Sequence, residues 1–177
     1  MRPPEQIETE RSILRKPKLE DAPLAFEGWT QDTEVTRYLT WRPHQRVEQT
    51  REFIRRCIVD WDRDWRFPYI ITIKDSSEVI GMIDPRVEGH RLGIGYGLAR
   101  SHWGKGYMTE ATRAVIDWAL QQEEIYRVYA TTDVENIGSQ RVLEKTGMTC
   151  EGLLRRYIMH PNISDEPRDC YMYAIVK

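Results

Sequence analysis

A β-rich run with glycine at every second position, Leu92-Gly-Ile-Gly-Tyr-Gly-Leu98, leads through Ala99-Arg-Ser-His-Trp-Gly-Lys-Gly106 into a helical pattern from Met108 to Gln121. This succession of strand, glycine-rich turn and helix constrains the fold most, because it sets a helix N-terminus at the end of a strand. Glycines at 104 and 106 let backbone N–H groups approach an anion such as a pyrophosphate, and the orphan amides and the positive end of the helix dipole attract its charge. Lys105 adds a further positive charge. Two other phosphate motifs are excluded. A P-loop needs Ser or Thr after its lysine and a glycine five residues before its second glycine, and neither is present around Lys105 and Gly104. A dinucleotide fold needs a helix opening on its glycines, whereas Gly93, Gly95 and Gly97 lie inside the strand pattern.

The rest of the chain alternates in the same way. Arg11–Arg15 reads as a first strand ended near Pro17, with Asp21 as a helix N-cap beyond it. From 47 to 65, Ile54, Cys57, Ile58, Trp61 and Trp65 fall three and four apart, one face of an amphipathic helix. The runs 67–74, 79–87 and 92–99, separated by Asp-Ser-Ser and Glu-Gly-His, predict an antiparallel meander. After the helix from 108 come a strand at 127–132, a helix capped by Asn136 and closing at Lys145 before Gly147, and a hairpin of 152–159 and 170–176 around a mobile loop at 161–167. With 177 residues, 40% of them hydrophobic, the chain holds one core, read as a single domain over 1–177.

Composition excludes several function classes. A formal charge of −2 lacks the basic face that nucleic acids require. Apolar runs fall far short of the roughly 20 residues that span a bilayer, so no membrane partner is expected. Residues 1–12 hold no apolar leader core, which predicts a cytoplasmic location. Cys57, Cys150 and Cys170 read as reduced structural thiols, and His44, His90, His102 and His160 are too scattered to predict a metal site.

The stretch Ser101-His-Trp-Gly-Lys-Gly106 resembles the pyrophosphate motif of the GNAT superfamily of acetyltransferases, Gln/Arg-x-x-Gly-x-Gly/Ala between the fourth strand and third helix, with Ser101 replacing Gln/Arg. Trp103-Gly-Lys-Gly-Tyr107 followed by Thr-Glu-Ala111 resembles the RimJ/RimL-type branch, which acetylates protein N-termini. Ile94-Gly-Tyr96, Asn136-Ile-Gly-Ser139, Val142-Leu-Glu-Lys-Thr-Gly147 and Glu151-Gly-Leu-Leu-Arg155 extend the likeness over most of the chain. The resemblance implies an α/β (α+β type) GNAT fold: a mixed, mostly antiparallel sheet of about seven strands flanked by about four helices and splayed between strands 4 and 5. The pantetheine of acetyl-CoA, the donor substrate, then fills the gap. The residues implied to bind it are Tyr96, Leu98, Arg100, Trp103, Gly104, Lys105, Gly106, Tyr107, Met108, Asn136 and Ser139. No metal is implied. The chain would work as a monomer or homodimer.

Acyl transfer to an amine needs a fixed thioester, charge stabilisation at its carbonyl oxygen and two proton transfers. Pantetheine amides can pair with the edge of the fourth strand as an added strand would. The glycines at 93, 95 and 97 suit either a bulge amide aimed at the carbonyl oxygen or a close backbone approach. Ser139 is the candidate acid, at the place the branch puts a serine; the tyrosine other GNAT enzymes use falls at Leu143. Ser139 and Asn136 can also serve only their own helix, by back-bonding and capping. Relatives of the branch often carry a glutamate immediately before Ile94-Gly-Tyr96, and here Gly93 stands there. Asp84, Tyr96 and a water wire remain as bases, Asp84 being equally readable as a turn residue before Pro85. Trp29, Trp41, Trp61 and Trp65 serve the core or the acceptor pocket, and Asp60, Asp62 and Asp64 either draw a cationic amine or form a solvated helix end. The branch favours a protein N-terminal amine as acceptor. A small-molecule amine, or a non-catalytic acyl-CoA-binding role, are the alternatives.

Overall fold

The computed structural model describes residues 1–177. Eight strands form one sheet in the order β1-β2-β3-β4-β5-β6-β8-β7, with β1 Gln6–Glu8, β2 Ser12–Arg15, β3 Tyr69–Ile73, β4 Val79–Glu88, β5 Arg91–Leu98, β6 Arg127–Asp133, β7 Thr149–Ile158 and β8 Arg168–Val176. Five α-helices flank it: α1 Asp21–Ala25, α2 Thr33–Thr36, α3 Val47–Asp62, α4 Tyr107–Gln121 and α5 Ile137–Lys145. The expected fourth strand is therefore β5, because the three-residue β1 precedes the strand read first from sequence. Its pairing with β2 brings Gln6 opposite Arg15.

All pairings are antiparallel except β5 with β6, which runs parallel and is confined to Arg91, Leu92 and Gly93 against Arg127, Val128 and Tyr129. Beyond Gly93 the strands diverge, and the β6-facing edge of Ile94–Leu98 has no partner strand. This is the splay that the resemblance implied. β5 keeps continuous register with β4 from Arg91 to Leu98, so of the two readings of its glycines the bulge is not formed in this strand. The bulge lies instead where Ile71 and Thr72 of β3 pair with Gly81 and Val79 of β4.

Alternation along β5 sorts its side chains onto two faces. Leu92, Ile94 and Leu98 join the larger core with Met108, Ala111, Val115 and Ala119 of α4 and Leu143 of α5, and Tyr96 packs against it. Gly93, Gly95 and Gly97 face the other way, beside their partners Arg86, Asp84 and Met82. That face is covered by α1 and α3 through Ala22, Ala25, Trp29, Ile54 and Cys57. Asp21 is the first residue of α1 rather than its cap: its carboxylate is bonded by Arg15 (2.9 and 2.6 Å) and accepts the Lys18 amide (2.7 Å). Asp84 lies inside the ten-residue β4 and not in a turn.

Trp61, near the end of α3, has no solvent exposure, donates its indole N–H to the Pro68 carbonyl (2.7 Å), and meets Phe67 and Tyr69 edge-on. Trp61→Ala removes that packing and orphans the carbonyl. It is expected to cost about 3–5 kcal/mol, read as a lower urea midpoint at unchanged m-value.

Candidate active site

The candidate anion site is built from backbone. Gly104 and Gly106 hold φ of +72° and +87°, left-handed values that let the chain turn sharply into α4. Within that turn, none of the amides from Gly104 to Thr109 donates to an acceptor in the protein. Six consecutive N–H groups therefore lie free at the positive end of a fifteen-residue helix and could hold a pyrophosphate. Lys105 and Trp103 are exposed beside them, and Trp103 donates its indole N–H to the Leu98 carbonyl (2.8 Å), tying the turn to the end of β5. Arg100 is held by Asp32 (3.2 Å).

A clamp not anticipated from the sequence shapes this turn. Arg11, between β1 and β2, bonds the Lys105 carbonyl (3.0 Å), stacks 4.5 Å from the Tyr107 ring centroid, and gives its amide (2.7 Å) and Nε (2.8 Å) to Glu110. Thr9 donates to the same carboxylate. Burial pushes the Glu110 carboxyl up, but the bonds from Thr9 and Arg11 outweigh it and hold the group below the ordinary glutamate value. The only sequence signal was Glu110 in the first turn of α4; its partner lies 99 residues away.

At the fork, Tyr96 from β5 and Ser139 from α5 meet: the phenol oxygen is 2.9 Å from Ser139 Oγ and donates to the Ser139 carbonyl at 3.3 Å. Burial drives the Tyr96 phenol well above its usual range, only partly offset by Ser139, so it stays protonated at neutral pH. Asn136 caps α5, its Oδ1 accepting the Ser139 amide (3.1 Å), which leaves Nδ2 for another partner. Leu143 is fully buried in the core and offers no proton.

Asp84 is on the opposite face. Arg66 Nε reaches both of its oxygens (2.9 and 2.8 Å), and Arg86 Nε and Nη2 reach Oδ2 (3.0 and 2.9 Å). A carboxylate enclosed by two guanidiniums works as an anchor: it fixes Arg86, whose Nη2 lies 3.2 Å from where a Cβ on Gly95 would stand. Over Gly97 stand Leu39 and Trp29, whose buried indole N–H has no acceptor. Trp29, Trp41, His44 and Phe53 form one aromatic cluster beside them. The β7–β8 loop, expected to be mobile, is instead tied down as a roof, because Asn162 Nδ2 donates to the Thr36 (2.7 Å) and Trp41 (2.8 Å) carbonyls. Asp60, Asp62 and Asp64 are each paired, with Arg66, Lys16 and Arg2, and Trp65 is half exposed.

An acetyltransferase (GNAT) domain family matches residues 11–149. The chain belongs to the GNAT acetyltransferases. An uncharacterized N-acetyltransferase p20 of Bacillus licheniformis is 36% identical over 98% of this chain and 97% of its own. A ribosomal-protein-serine acetyltransferase of Escherichia coli is 30% identical over 73% of this chain and 72% of its own. The structure of RimJ from Mycobacterium smegmatis superposes with a TM-score of 0.87 at 23% identity, covering 99% and 90% of the two chains.

As in GNAT enzymes generally, acetyl-CoA is the donor, and the residues present fit it: free amides for its pyrophosphate, an unpaired strand edge for its pantetheine, and a hydroxyl pair at the fork. No helix is long and apolar enough to cross a membrane.

Glu110→Gln should weaken acetyl-CoA binding about tenfold, the loss of one charge-assisted clamp, measured by titration calorimetry. Because the folded-state value of Glu110 is lowered, the clamp is at full strength above the ordinary value of 4.5 and is lost as pH falls through the lowered one. The variant's melting temperature should lack that acidic limb.

Proposed function

We propose that this GNAT N-acetyltransferase transfers acetyl to the α-amine of a protein N-terminus, with Ser139 as the acid and Tyr96 behind it. The free strand edge and amide row carry the donor half of the reading. The protein acceptor is supported by similarity to the ribosomal-protein-serine acetyltransferase. We further take residues 1–177 as one catalytic domain, supported by the unbroken sheet from β1 to β7.

Acetyl-CoA supplies an activated acyl thioester. The amides of 104–109 and Lys105 bind and neutralise its pyrophosphate, and the edge of Ile94–Leu98 orders its pantetheine as a strand. Asn136 Nδ2 offers a further donor to that arm. Ser139 Oγ holds a proton for the departing sulfur, and Tyr96, kept neutral by burial, orients that hydroxyl through the 2.9 Å contact. Asp84 sets Arg66 and Arg86 on the acceptor face.

A small amine as acceptor is favoured by one observation: the roof that Asn162 fastens over the aromatic cluster narrows that side of the site. Screening the purified chain with acetyl-CoA against peptides with free N-termini and against small amines, with detection of free thiol, separates the two. Turnover of small amines and of no peptide would remove the protein acceptor.

Ser139→Ala should lower kcat by about 10²-fold; full kcat in this variant would remove Ser139 as the acid. Tyr96→Phe should fall between the two.

A further inference from the structure

Position 93 is where β5 and β6 part, and the group that occupies its face comes from across the fork. A Cβ on Gly93 would lie 3.0 Å from Tyr129 Oη and 3.1 Å from Cζ, so the phenol holds the volume that any side chain at 93 would need. Gly93 and Tyr129 are the last paired residues before the strands diverge. The Tyr129 phenol donates to Glu88 Oε2 at 2.8 Å. Glu88, at the end of β4, is 40% exposed, and Arg91 holds the same oxygen through Nε and Nη2, both at 3.1 Å. Tyr129, Glu88, Gly93, Arg86 and Tyr157 line one cavity of about 320 Å³ that opens beside the fork. A hydroxyl at the fork, bonded to a carboxylate that reaches solvent, is the geometry of a proton wire.

We propose that Tyr129 and Glu88 carry the proton away from the acceptor ammonium, Tyr129 as the catalytic residue that touches the amine and Glu88 as the group that acts through it. The inference rests on the N-acetyltransferase reading above. The amine N–H bond breaks as an O–H bond forms on Tyr129; the phenol's own O–H bond breaks as one forms on Glu88, which then releases the proton to water. The ammonium charge is neutralised against the carboxylate, and no other reactant is needed. Burial first, then the bond to Glu88, pushes Tyr129 up to about 12, which keeps the phenol protonated and suits it to shuttling rather than to acting as a phenolate. The charged and titratable groups facing the pair are Arg86 from β4, Arg91 from β5, Arg127 from β6 and Tyr157 from β7. Arg91, 5.5 Å from the Tyr129 ring centroid, bonds the same Glu88 oxygen and so holds the carboxylate against the phenol.

The test uses the full chain, acetyl-CoA and the best amine found by screening. Tyr129→Phe and Glu88→Gln are expected to lower kcat/KM at pH 7 by tenfold or more, with a deficit that closes as pH rises toward the amine's own pKa. Without the wire, only acceptor already deprotonated in solution reacts. Glu88→Asp, which keeps the carboxylate, should keep the parental profile, and Tyr129→Ala combined with Gly93→Glu should regain activity lost by Tyr129→Ala alone. Acetyl-CoA Kd should not change. In the protein without acceptor, the ¹³Cζ resonance of Tyr129 should follow a carboxylate titration that Glu88→Gln abolishes. A deficit independent of pH, no deficit, or a Tyr129 resonance blind to Glu88 overturns the wire while parental turnover upholds the enzyme reading. Acetyl-CoA binding with no turnover of any amine overturns both.

Discussion

Three residues of parallel pairing, Arg91–Gly93 against Arg127–Tyr129, hold two antiparallel halves together as one sheet. If the pairing ran on, the edge of Ile94–Leu98 would be consumed by β6 and no strand-like ligand could enter. If it were absent, Tyr96 and Ser139 would have no reason to meet. The divergence begins where Gly93 admits the Tyr129 ring, so the size of one side chain and the length of one ladder are linked. The fork also lets a group bound from the α4 and α5 face be reached from the α1 and α3 face.

The two faces are held by different physics. On the side of α4 and α5 the sheet is joined by apolar packing, with Leu92, Ala111, Val115 and Leu143 all fully buried, and the polar pair at the fork, Tyr96 and Ser139, is of neutral hydroxyls. The other face carries fixed charge: Asp84 between two guanidiniums, and Asp133, whose buried carboxylate takes Arg168 at 2.6 Å. Burial raises the Asp133 carboxyl, but Arg168 and the Glu135 amide outweigh it and hold it below its usual value. Each such anchor fixes an arginine.

What the sequence disclosed and what it withheld divide along contact distance. α4, α5 and the β3–β4–β5 meander were legible because 3.6- and 2-residue periods, glycine turns and an asparagine cap are local signals. So was the glycine turn at 104–106, whose geometry is set by the backbone. β1 was missed because three residues show no periodicity, and Asp21 because an acidic first-turn residue resembles a cap. The Arg11 clamp spans 99 residues and the Tyr129–Glu88 bond 41, and no spacing rule connects such partners. Gly93, in sequence, showed only that a side chain was missing; the fold shows the ring that took its place.

The Arg11–Glu110 contact gives the donor site a dependence on assembly order. The turn at 104–106 takes its shape from a residue near the start of the chain, so the amide row is complete only after the β1–β2 hairpin has docked. By linkage, a ligand that binds only the docked form holds the hairpin in place. A donor bound there would fasten the hairpin of residues 6–15, and resistance of that segment to proteolysis would become a gauge of site occupancy.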